Sequence, residues 1–450
     1  MKIPESNTNR AKQLIWLYFW LLIIEGALRK WIVPSLSNPL LIIRDPVVIL
    51  ISAVAASEGK FPRSAFIALI LGLAFFSFLA SIAGLGTLVV SLYGLRTNFL
   101  HLPLIFIIPL VMTPSDVQKI GKWVLLISIP MSLLAVAQFH AAPDSRLNVG
   151  TGGEISGQLF AASGKIRPAG TFSFVTGMVS YLSFLAAFVL YSFLQHWPYK
   201  RLISFAAMGA LGLSLLVSGS RSAVLTVSVV LIVALLDCMF KGKQLSSAFK
   251  PLLAVALVLF ALSFLPVFKE GMEVQESRFE SGGGFREGIV DRVFGDFIAG
   301  FNAVDQVPFF GVGLGIGTNA GAGLLSGSRR FLLAEGEWAR VVMESGPLLG
   351  FAFIGLRISI LIYIARRAVK ALDRGAVLPS LLLGAVALDL LYGQFSQPTS
   401  MGFIILGCGL SLAAANEVET AGENPAKSDK PSKFRIRGRS AYAEALHGNS

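Results

Sequence analysis

Long apolar segments, separated by short polar ones, recur along most of this 450-residue chain. Each is roughly 17 to 25 residues long, the length that an α-helix needs to cross the hydrocarbon core of a bilayer. The pattern predicts an all-α, polytopic membrane bundle of about twelve transmembrane helices. The predicted spans are residues 14–33, 39–56, 64–83, 85–112, 122–141, 172–195, 202–219, 222–240, 251–268, 347–365, 376–394 and 398–415.

The composition agrees with a membrane protein. Hydrophobic residues make up 54% of the chain and charged residues 14%, and the mean hydropathy is +0.70. Soluble domains carry about 25% charged residues. An ordinary soluble enzyme, a disordered chain, a coiled coil and a disulfide-rich scaffold are therefore excluded. Cys238 and Cys408 lie in separate apolar segments, so they predict neither a metal site nor a disulfide.

The placement of basic residues predicts the orientation of the bundle. The chain has 38 Lys and Arg against 26 Asp and Glu, a formal net charge of +12. If the N-terminus is cytoplasmic, the short loops on that side are basic at every turn, as cytoplasmic loops usually are. Twelve spans then place both termini in the cytoplasm.

Two of the predicted outer segments are too long to be simple connectors. Residues 142–171 are rich in Gly and Ser, and residues 269–346 form a large extracytoplasmic loop between the ninth and tenth spans. Long loops are usually functional or disordered. The second segment is neither low-complexity nor strongly charged, so we expect it to fold against the membrane domain, residues 1–415.

The C-terminal residues 416–450 form a basic tail. They contain Pro425, Pro431 and a basic run at 433–439. This composition predicts disorder, and contact with anionic membrane lipid rather than with nucleic acid.

Several charged residues fall within or near the predicted spans, where a charge costs about 2.5–3.5 kcal/mol on insertion scales. Glu25 and Arg29 are four residues apart and would share a helix face. Two interpretations stay open: the charges pair within the protein or at the interface, or they line a cavity that opens outward. The residues concerned are Glu25, Arg29, Arg44, Asp45, Arg96, Arg357 and Asp389.

A small-residue motif with one arginine separates two predicted spans at the outer side. It reads Ser218-Gly219-Ser220-Arg221-Ser222. Arginine suits phosphate because its planar guanidinium donates two parallel hydrogen bonds and stays protonated. The alternative is an arginine that anchors the helix at the membrane interface.

The large outer loop contributes a glycine run and a charged helix. Residues 311–317 read GVGLGIG, which fits neither the dinucleotide fingerprint nor a Walker loop, and offers a backbone that a ligand or a hinge could use. Farther on, helical spacing would align Glu337, Arg340 and Glu344 on one face. Carboxylates beside an arginine suit a general base next to a phosphate-binding cation. The alternative is a surface ladder of satisfied ion pairs.

Three motifs, in this order, resemble those of the O-antigen ligase and O-antigen polymerase superfamily. They are residues 218–223, residues 308–315 (PFFGVGLG) and residues 344–350 (ESGPLLG), within a resemblance that covers roughly residues 170–400. The resemblance implies a multi-pass glycosyltransferase of the bacterial inner (cytoplasmic) membrane. It would act at the outer face on glycans linked to undecaprenyl diphosphate or a similar polyprenyl diphosphate, with no metal or other cofactor.

The resemblance also assigns residues. Arg221 and Arg292 match its arginines and would hold the diphosphate. From the charged helix itself we further expect Arg340 to bind the diphosphate and Glu335 or Glu337 to act as the catalytic base. The ligase pattern has a His-Asn pair nine residues before the glutamate of the third motif, whereas this chain has Glu335-Gly336 there. This departure favours an exopolysaccharide polymerase-like member.

The sequence therefore predicts glycosyl transfer from a polyprenyl-diphosphate-linked oligosaccharide to a hydroxyl of an acceptor glycan, in the biosynthesis of a cell-envelope polysaccharide or exopolysaccharide. Polymerase and ligase both stay open. Two other classes also stay open: a transporter or flippase of lipid-linked saccharides, which needs no base, and a non-catalytic component of a secretion complex.

Overall fold

The structure is a computed structural model, and most of what it describes is helical. In the described residues the β-structure is one isolated antiparallel bridge, between Phe160 and Ile166. The structure describes residues 5–84, 87–155, 158–161, 164–195, 197–240, 260, 262–280, 294–327 and 332–422.

The α-helices of the described ranges follow the predicted spans closely. A further helix covers residues 294–302, and π-helical turns cover Leu28–Ile32 and Arg96–Leu100. The helices are α1 (Glu5–Ala27), α2 (Ser37–Leu40), α3 (Arg44–Ser57), α4 (Ala65–Ala83), α5 (Leu88–Leu95), α6 (Leu104–Val111), α7 (Pro114–His140), α8 (Val175–Leu194), α9 (Arg201–Val217), α10 (Arg221–Phe240), α11 (Pro266–Glu280), α12 (Asn319–Ser326), α13 (Glu337–Asp373), α14 (Leu378–Tyr392) and α15 (Pro398–Gly422).

Eight helical segments of the described ranges are long and apolar enough to cross a membrane, or nine if the bent pair at α5 and α6 is one span. The two halves of that pair meet at an angle of 41°. Helices α9 and α14 are apolar but shorter. The protein thus has the fold of an all-α, multi-pass membrane protein. The ninth predicted span, 251–268, falls mainly outside the described residues, so the count of twelve stays a prediction.

Local sequence signals explain where the helices begin. Helix α4 follows Ser64, whose Oγ accepts a hydrogen bond from the backbone N–H of Ile67. Helix α7 follows Thr113, which forms a capping box with Asp116. At the other end of the chain, α15 continues to Gly422. The predicted boundary of the tail at residue 416 is therefore too early, and residues 423–450 lie outside the described ranges.

Helix α15 lies in the middle of the bundle, and small residues allow its neighbours to approach it closely. A Cβ atom at Gly407 would lie 2.6 Å from Val386 of α14, and one at Gly409 would lie 2.6 Å from Ile108 of α6. Small residues at such contacts are typical of helices that pack in membranes, where dispersion forces replace the hydrophobic effect. Helix α8 is buried just as thoroughly.

Helix α13 reverses direction at Gly346. This glycine has φ 76° and ψ 167°, a backbone conformation essentially confined to glycine, and Pro347 follows it. Residues 337–345 therefore fold back along the long second limb. A Cβ atom at Gly350, on the second limb, would lie 2.7 Å from the Cα atom of Val342 on the first. The predicted span 347–365 begins directly after this reversal.

Helices α10 and α14 run antiparallel. The hydroxyl of Ser380, near the start of α14, donates to the carboxylate of Asp237, near the end of α10. Arg221 at the start of α10 therefore lies at the same end of the bundle as residue 393, which follows α14. We call this the site end. The described parts of residues 269–346 pack there against the bundle, as predicted.

Candidate functional site

The turn between α9 and α10 carries Arg221 and is held from both sides. Helix α11 crosses it, and the side-chain amide of Gln275 donates to the carbonyl of Leu215 (2.9 Å) and to the hydroxyl of Ser218 (3.3 Å). Gly219 has φ 53°, and a Cβ atom there would lie 2.8 Å from the Cβ atom of Ala161. The small-residue motif is thus required by backbone geometry and close packing.

A short hairpin from the 142–171 segment forms the second support of this turn. It is closed by backbone hydrogen bonds from Ala161 N to Lys165 O and from Arg167 N to Leu159 O, both 2.8 Å. Through Ala161 it packs on Gly219 of the turn. Lys165 also contacts Glu270 of α11 at 3.2 Å, so hairpin, turn and α11 form one unit.

Arg221 and Arg167 both retain hydrogen-bonding capacity. Each is half-buried, and the Nε atom of each is shielded from solvent without a hydrogen-bond partner in the described part of the chain. A buried donor that is left unpaired costs about 1–3 kcal/mol, so an anion that accepted these hydrogen bonds would be stabilised there. Sequence reasoning identified Arg221 but missed Arg167, since Arg167 belongs to a hairpin that packs against the turn through Ala161, a contact between distant parts of the chain.

A polar cavity of about 650 Å³ opens at the site end. This volume lies within the range of about 300–1,000 Å³ that is typical of ligand pockets. Its wall combines hydroxyl and amide groups with two aromatic rings, Tyr93 and Phe174, and with one charge of each sign, Arg29 and Glu154. The hydroxyl and amide side chains include Asn38, Thr151, Ser173, Thr176, Asn319 and Gln397.

A buried ionic network forms where the two limbs of α13 meet. The guanidinium of Arg340 donates from Nε to Glu337 (2.9 Å), from Nη1 to Glu344 (2.7 Å) and from Nη2 to Asn98 (3.1 Å). Arg357 of the second limb donates to Glu337 at 2.8 Å. The predicted alignment of Glu337, Arg340 and Glu344 on one face is confirmed, but the face is buried in the protein.

These contacts correct two of the predicted site residues. The carboxylate of Glu337 accepts hydrogen bonds from two arginines and from the backbone N–H of Phe395 (3.2 Å). The guanidinium of Arg340 is surrounded by protein acceptors. Since both side chains are buried and saturated by protein partners, Glu337 is not placed to accept a substrate proton and Arg340 is not placed to bind a diphosphate.

The glycine run 311–317 is also engaged by the protein. Its backbone N–H groups donate to the carbonyl of Glu344 from Gly313 (3.0 Å) and to the carboxylate of Glu344 from Gly317 (2.9 Å). A Cβ atom at Gly94 of α5 would overlap with Gly315. The glycines therefore permit close approach to the rest of the bundle, rather than forming the open ligand loop that the sequence had suggested.

Glu335 lies at the rim of the site end, where its side chain is exposed. Its backbone carbonyl accepts a hydrogen bond from Gln394 (2.5 Å), which in turn accepts one from Gln397 of the cavity wall (2.6 Å). Two hydrogen bonds thus connect Glu335 to the cavity. Arg292, the other predicted diphosphate ligand, lies outside the described residues.

The charges of the first spans form a second ionic network. Glu25 pairs with Arg29 (3.3 Å), as their spacing predicted, and with Arg44 (3.0 Å). Asp45 pairs with Arg96 at 2.5 Å. Pairing within the protein is therefore confirmed for these residues. Arg29 is paired and also lines the cavity; that the cavity opens outward stays a prediction.

No protein-family model and no curated protein matches this chain. In the part of the chain that the structure describes, no group of three or more His, Cys, Asp or Glu side chains is arranged to hold a metal ion. The fold and the site define a multi-pass helical membrane protein with a polar cavity and an arginine-bearing turn at the same end of the bundle.

Proposed function

We propose that this protein is a membrane glycosyltransferase. It transfers a saccharide from a polyprenyl-diphosphate carrier to a hydroxyl of an acceptor glycan, and so polymerises or ligates a surface polysaccharide. The observation that carries the proposal is the joint presence, at one end of the bundle, of a polar cavity and of an arginine, Arg221, whose Nε has no hydrogen-bond partner among the residues that the structure describes. The three sequence motifs that resemble the O-antigen ligase and polymerase superfamily support the same function.

The cavity is suited to a saccharide. Hydroxyl and amide side chains both donate and accept hydrogen bonds, which matches the hydroxyl groups of a sugar. Tyr93 and Phe174 supply aromatic surface against the apolar face of a sugar ring, and the charges in the wall balance to zero. A wall of this kind is better suited to a neutral polar ligand than to a strongly charged one.

Arg221 acts on the leaving group. As the bond between the anomeric carbon and the diphosphate breaks, negative charge grows on the diphosphate oxygens. A guanidinium that binds this charge more strongly than it binds the ground state lowers the barrier. Arg167, on the hairpin against the same turn, supplies a second cation for the same group. The acceptor oxygen attacks from the opposite side, so the transfer inverts the anomeric configuration.

The proposal is tested with the purified protein in detergent. The substrate is undecaprenyl-diphosphate-linked oligosaccharide extracted from cells that lack the protein, and the products are analysed by mass spectrometry. We expect longer glycans from the wild type and at least 100-fold slower extension from Arg221→Ala. Arg201→Ala is the matched control, because Arg201 begins α9 at the opposite end and lies against the ring of Trp197.

The same experiment contradicts the proposal if no glycan is lengthened by the wild type. Movement of unchanged carrier-linked glycan across the membrane of proteoliposomes would then favour the transporter or flippase. If extension does occur, deletion of the protein in cells separates the two enzymes. Single repeat units left on the carrier indicate a polymerase, whereas complete polymer left on the carrier indicates a ligase.

A further inference from the structure

Asp296 lies on the 294–302 helix, and packing between this helix and the start of α13 holds it in place. The rings of Phe297 and Trp338 pack edge to face with centroids 4.0 Å apart, and the indole N–H of Trp338 donates to the carbonyl of Leu391 at 3.0 Å. The backbone N–H of Trp338 donates to Oδ2 of Asp296 at 3.3 Å. These contacts place the carboxylate beside the end of α14, at the site end.

The second oxygen of this carboxylate has no protein partner. Oδ1 of Asp296 is shielded from solvent and accepts no hydrogen bond from any residue that the structure describes. Buried carboxylate oxygens are nearly always hydrogen-bonded, because an unpaired one loses its hydration without compensation. An unpaired buried carboxylate oxygen is therefore a place where a hydroxyl of a ligand would be held.

The backbone of Gly336 lies close to this oxygen. A Cβ atom at Gly336 would overlap with Oδ1 of Asp296, so only glycine allows the carboxylate to take this position. Gly336 directly follows Glu335, whose carbonyl is hydrogen-bonded to Gln394 and thereby connected to the cavity wall. Asp296 thus contacts the residue next to Glu335, and two hydrogen bonds join Glu335 to Gln397 of the cavity wall.

The electrostatic surroundings make this carboxylate a better base than an exposed one. Burial is the main cause that raises the pKa of Asp296, to about 6, and the charge of Glu337 acts in the same direction. The N–H of Trp338 and the charges of Arg357 and Arg340 lower the pKa, but by less. A general base is most effective when its pKa is close to the working pH. Asp296 lies in residues 294–302, which are outside the predicted membrane spans.

We propose that Asp296, rather than Glu335 or Glu337, is the general base that accepts the proton of the attacking hydroxyl. The assignment rests on the proposed glycosyl transfer. The O–H bond of the acceptor breaks, and its proton passes to Oδ1 of Asp296. The acceptor oxygen forms a bond to the anomeric carbon, and the bond from that carbon to the diphosphate oxygen breaks. The electron pair of that bond leaves with the polyprenyl diphosphate.

The test compares Asp296→Asn with two matched variants in the extension assay. Asp305→Asn removes an exposed carboxylate from the same outer segment, and Glu335→Gln removes the exposed candidate base. We expect Asp296→Asn to slow extension by about 100-fold to 10,000-fold, the usual contribution of a general base, and to leave the Kd for undecaprenyl-diphosphate-linked oligosaccharide within threefold. The Asp305→Asn control should extend glycans within threefold of the wild-type rate. Slow extension by Glu335→Gln together with normal extension by Asp296→Asn would assign the base to Glu335 instead.

A pH profile separates a base from a residue that only supports the fold. The wild-type rate should rise as the pH passes through about 6, because the carboxylate must be ionised to accept a proton. Asp296→Glu should keep measurable extension with this rise displaced along the pH axis. Size-exclusion profile and thermal stability of each variant establish that it is folded.

The outcomes distinguish the two proposals. If the wild type extends glycans and folded Asp296→Asn does so within threefold, Asp296 is not the base and the glycosyl transfer stands. An unshifted pH profile in an active Asp296→Glu variant contradicts the assignment in the same way. If the wild type does not lengthen glycans at all, the proposed function fails, and the role of Asp296 in it fails as well.

Discussion

Arg357 and Glu337 are joined by a buried contact of 2.8 Å although they are 20 residues apart in one helical element. In a straight α-helix, 20 residues span about 30 Å. The contact exists because α13 reverses at Gly346, which brings the start of the first limb beside the second limb. The reversal therefore decides that Glu337 is an internal partner of two arginines rather than a group at the surface of the site.

Replacement of Gly346 should disrupt this arrangement. A Cβ atom there would overlap with the carbonyl oxygen of Phe309, and the backbone conformation is one that other residues reach only at a cost of about 1–3 kcal/mol. We expect Gly346→Ala to lower Tm clearly and to reduce the yield of folded protein. Gly355→Ala is the control, because a Cβ atom there meets open space within the same helix. Equal Tm values for the two variants would show that the reversal does not require glycine.

Removal of the charge at Glu337 should lower the stability of the fold rather than the rate of glycosyl transfer. Glu337→Gln leaves Arg340 and Arg357 with an uncompensated charge in a buried site, and breaking such pairs costs about 3–5 kcal/mol. We expect a lower Tm, while the fraction that folds keeps an extension rate within about threefold of the wild type. The exposed Glu276→Gln should leave Tm unchanged. A stable Glu337→Gln protein without extension activity would restore Glu337 as the base.

Arg167 should contribute to binding of the diphosphate. Its unpaired Nε and its place on the hairpin against the Arg221 turn predict that Arg167→Gln weakens the affinity for undecaprenyl diphosphate by about tenfold, a loss of roughly 1.4 kcal/mol. Arg167→Lys should recover part of it, since the charge remains but the planar guanidinium is lost. The control is Arg146→Gln, an exposed arginine of the same segment. Equal Kd values for Arg167→Gln and Arg146→Gln would exclude this role.

The orientation of the bundle predicts which end faces outward. Phe160 on the hairpin and Lys119 at the start of α7 are both well exposed, and they lie at opposite ends of the bundle. In intact cells we expect a membrane-impermeant maleimide to label Phe160→Cys but to leave Lys119→Cys unlabelled. The native Cys238 and Cys408 are buried, so the wild type should give little background. The reverse labelling pattern would place the site end in the cytoplasm and contradict the proposed function.

The amino-acid sequence by itself determined the helical membrane architecture. Hydrophobic length and polar interruption are properties of consecutive residues, so they predicted the eight helical segments of the described ranges that are long and apolar enough to cross a membrane. Neighbouring spacings were equally informative: the Glu25–Arg29 pair and the face shared by Glu337, Arg340 and Glu344 follow from three-residue and four-residue separations on a helix.

Only the tertiary structure decided which of these groups remain available to a ligand. Arg44 forms an ion pair with Glu25, 19 residues away in the sequence, and Arg357 forms one with Glu337 across the reversal at Gly346. The hairpin with Arg167 packs against the Arg221 turn, and the 294–302 helix brings Asp296 to the start of α13. Such contacts depend on how distant segments pack, and this packing cannot be predicted from local hydropathy or from the spacing of neighbouring residues. A charged residue can be recognised from the sequence, but whether it is paired is settled by its neighbours in space.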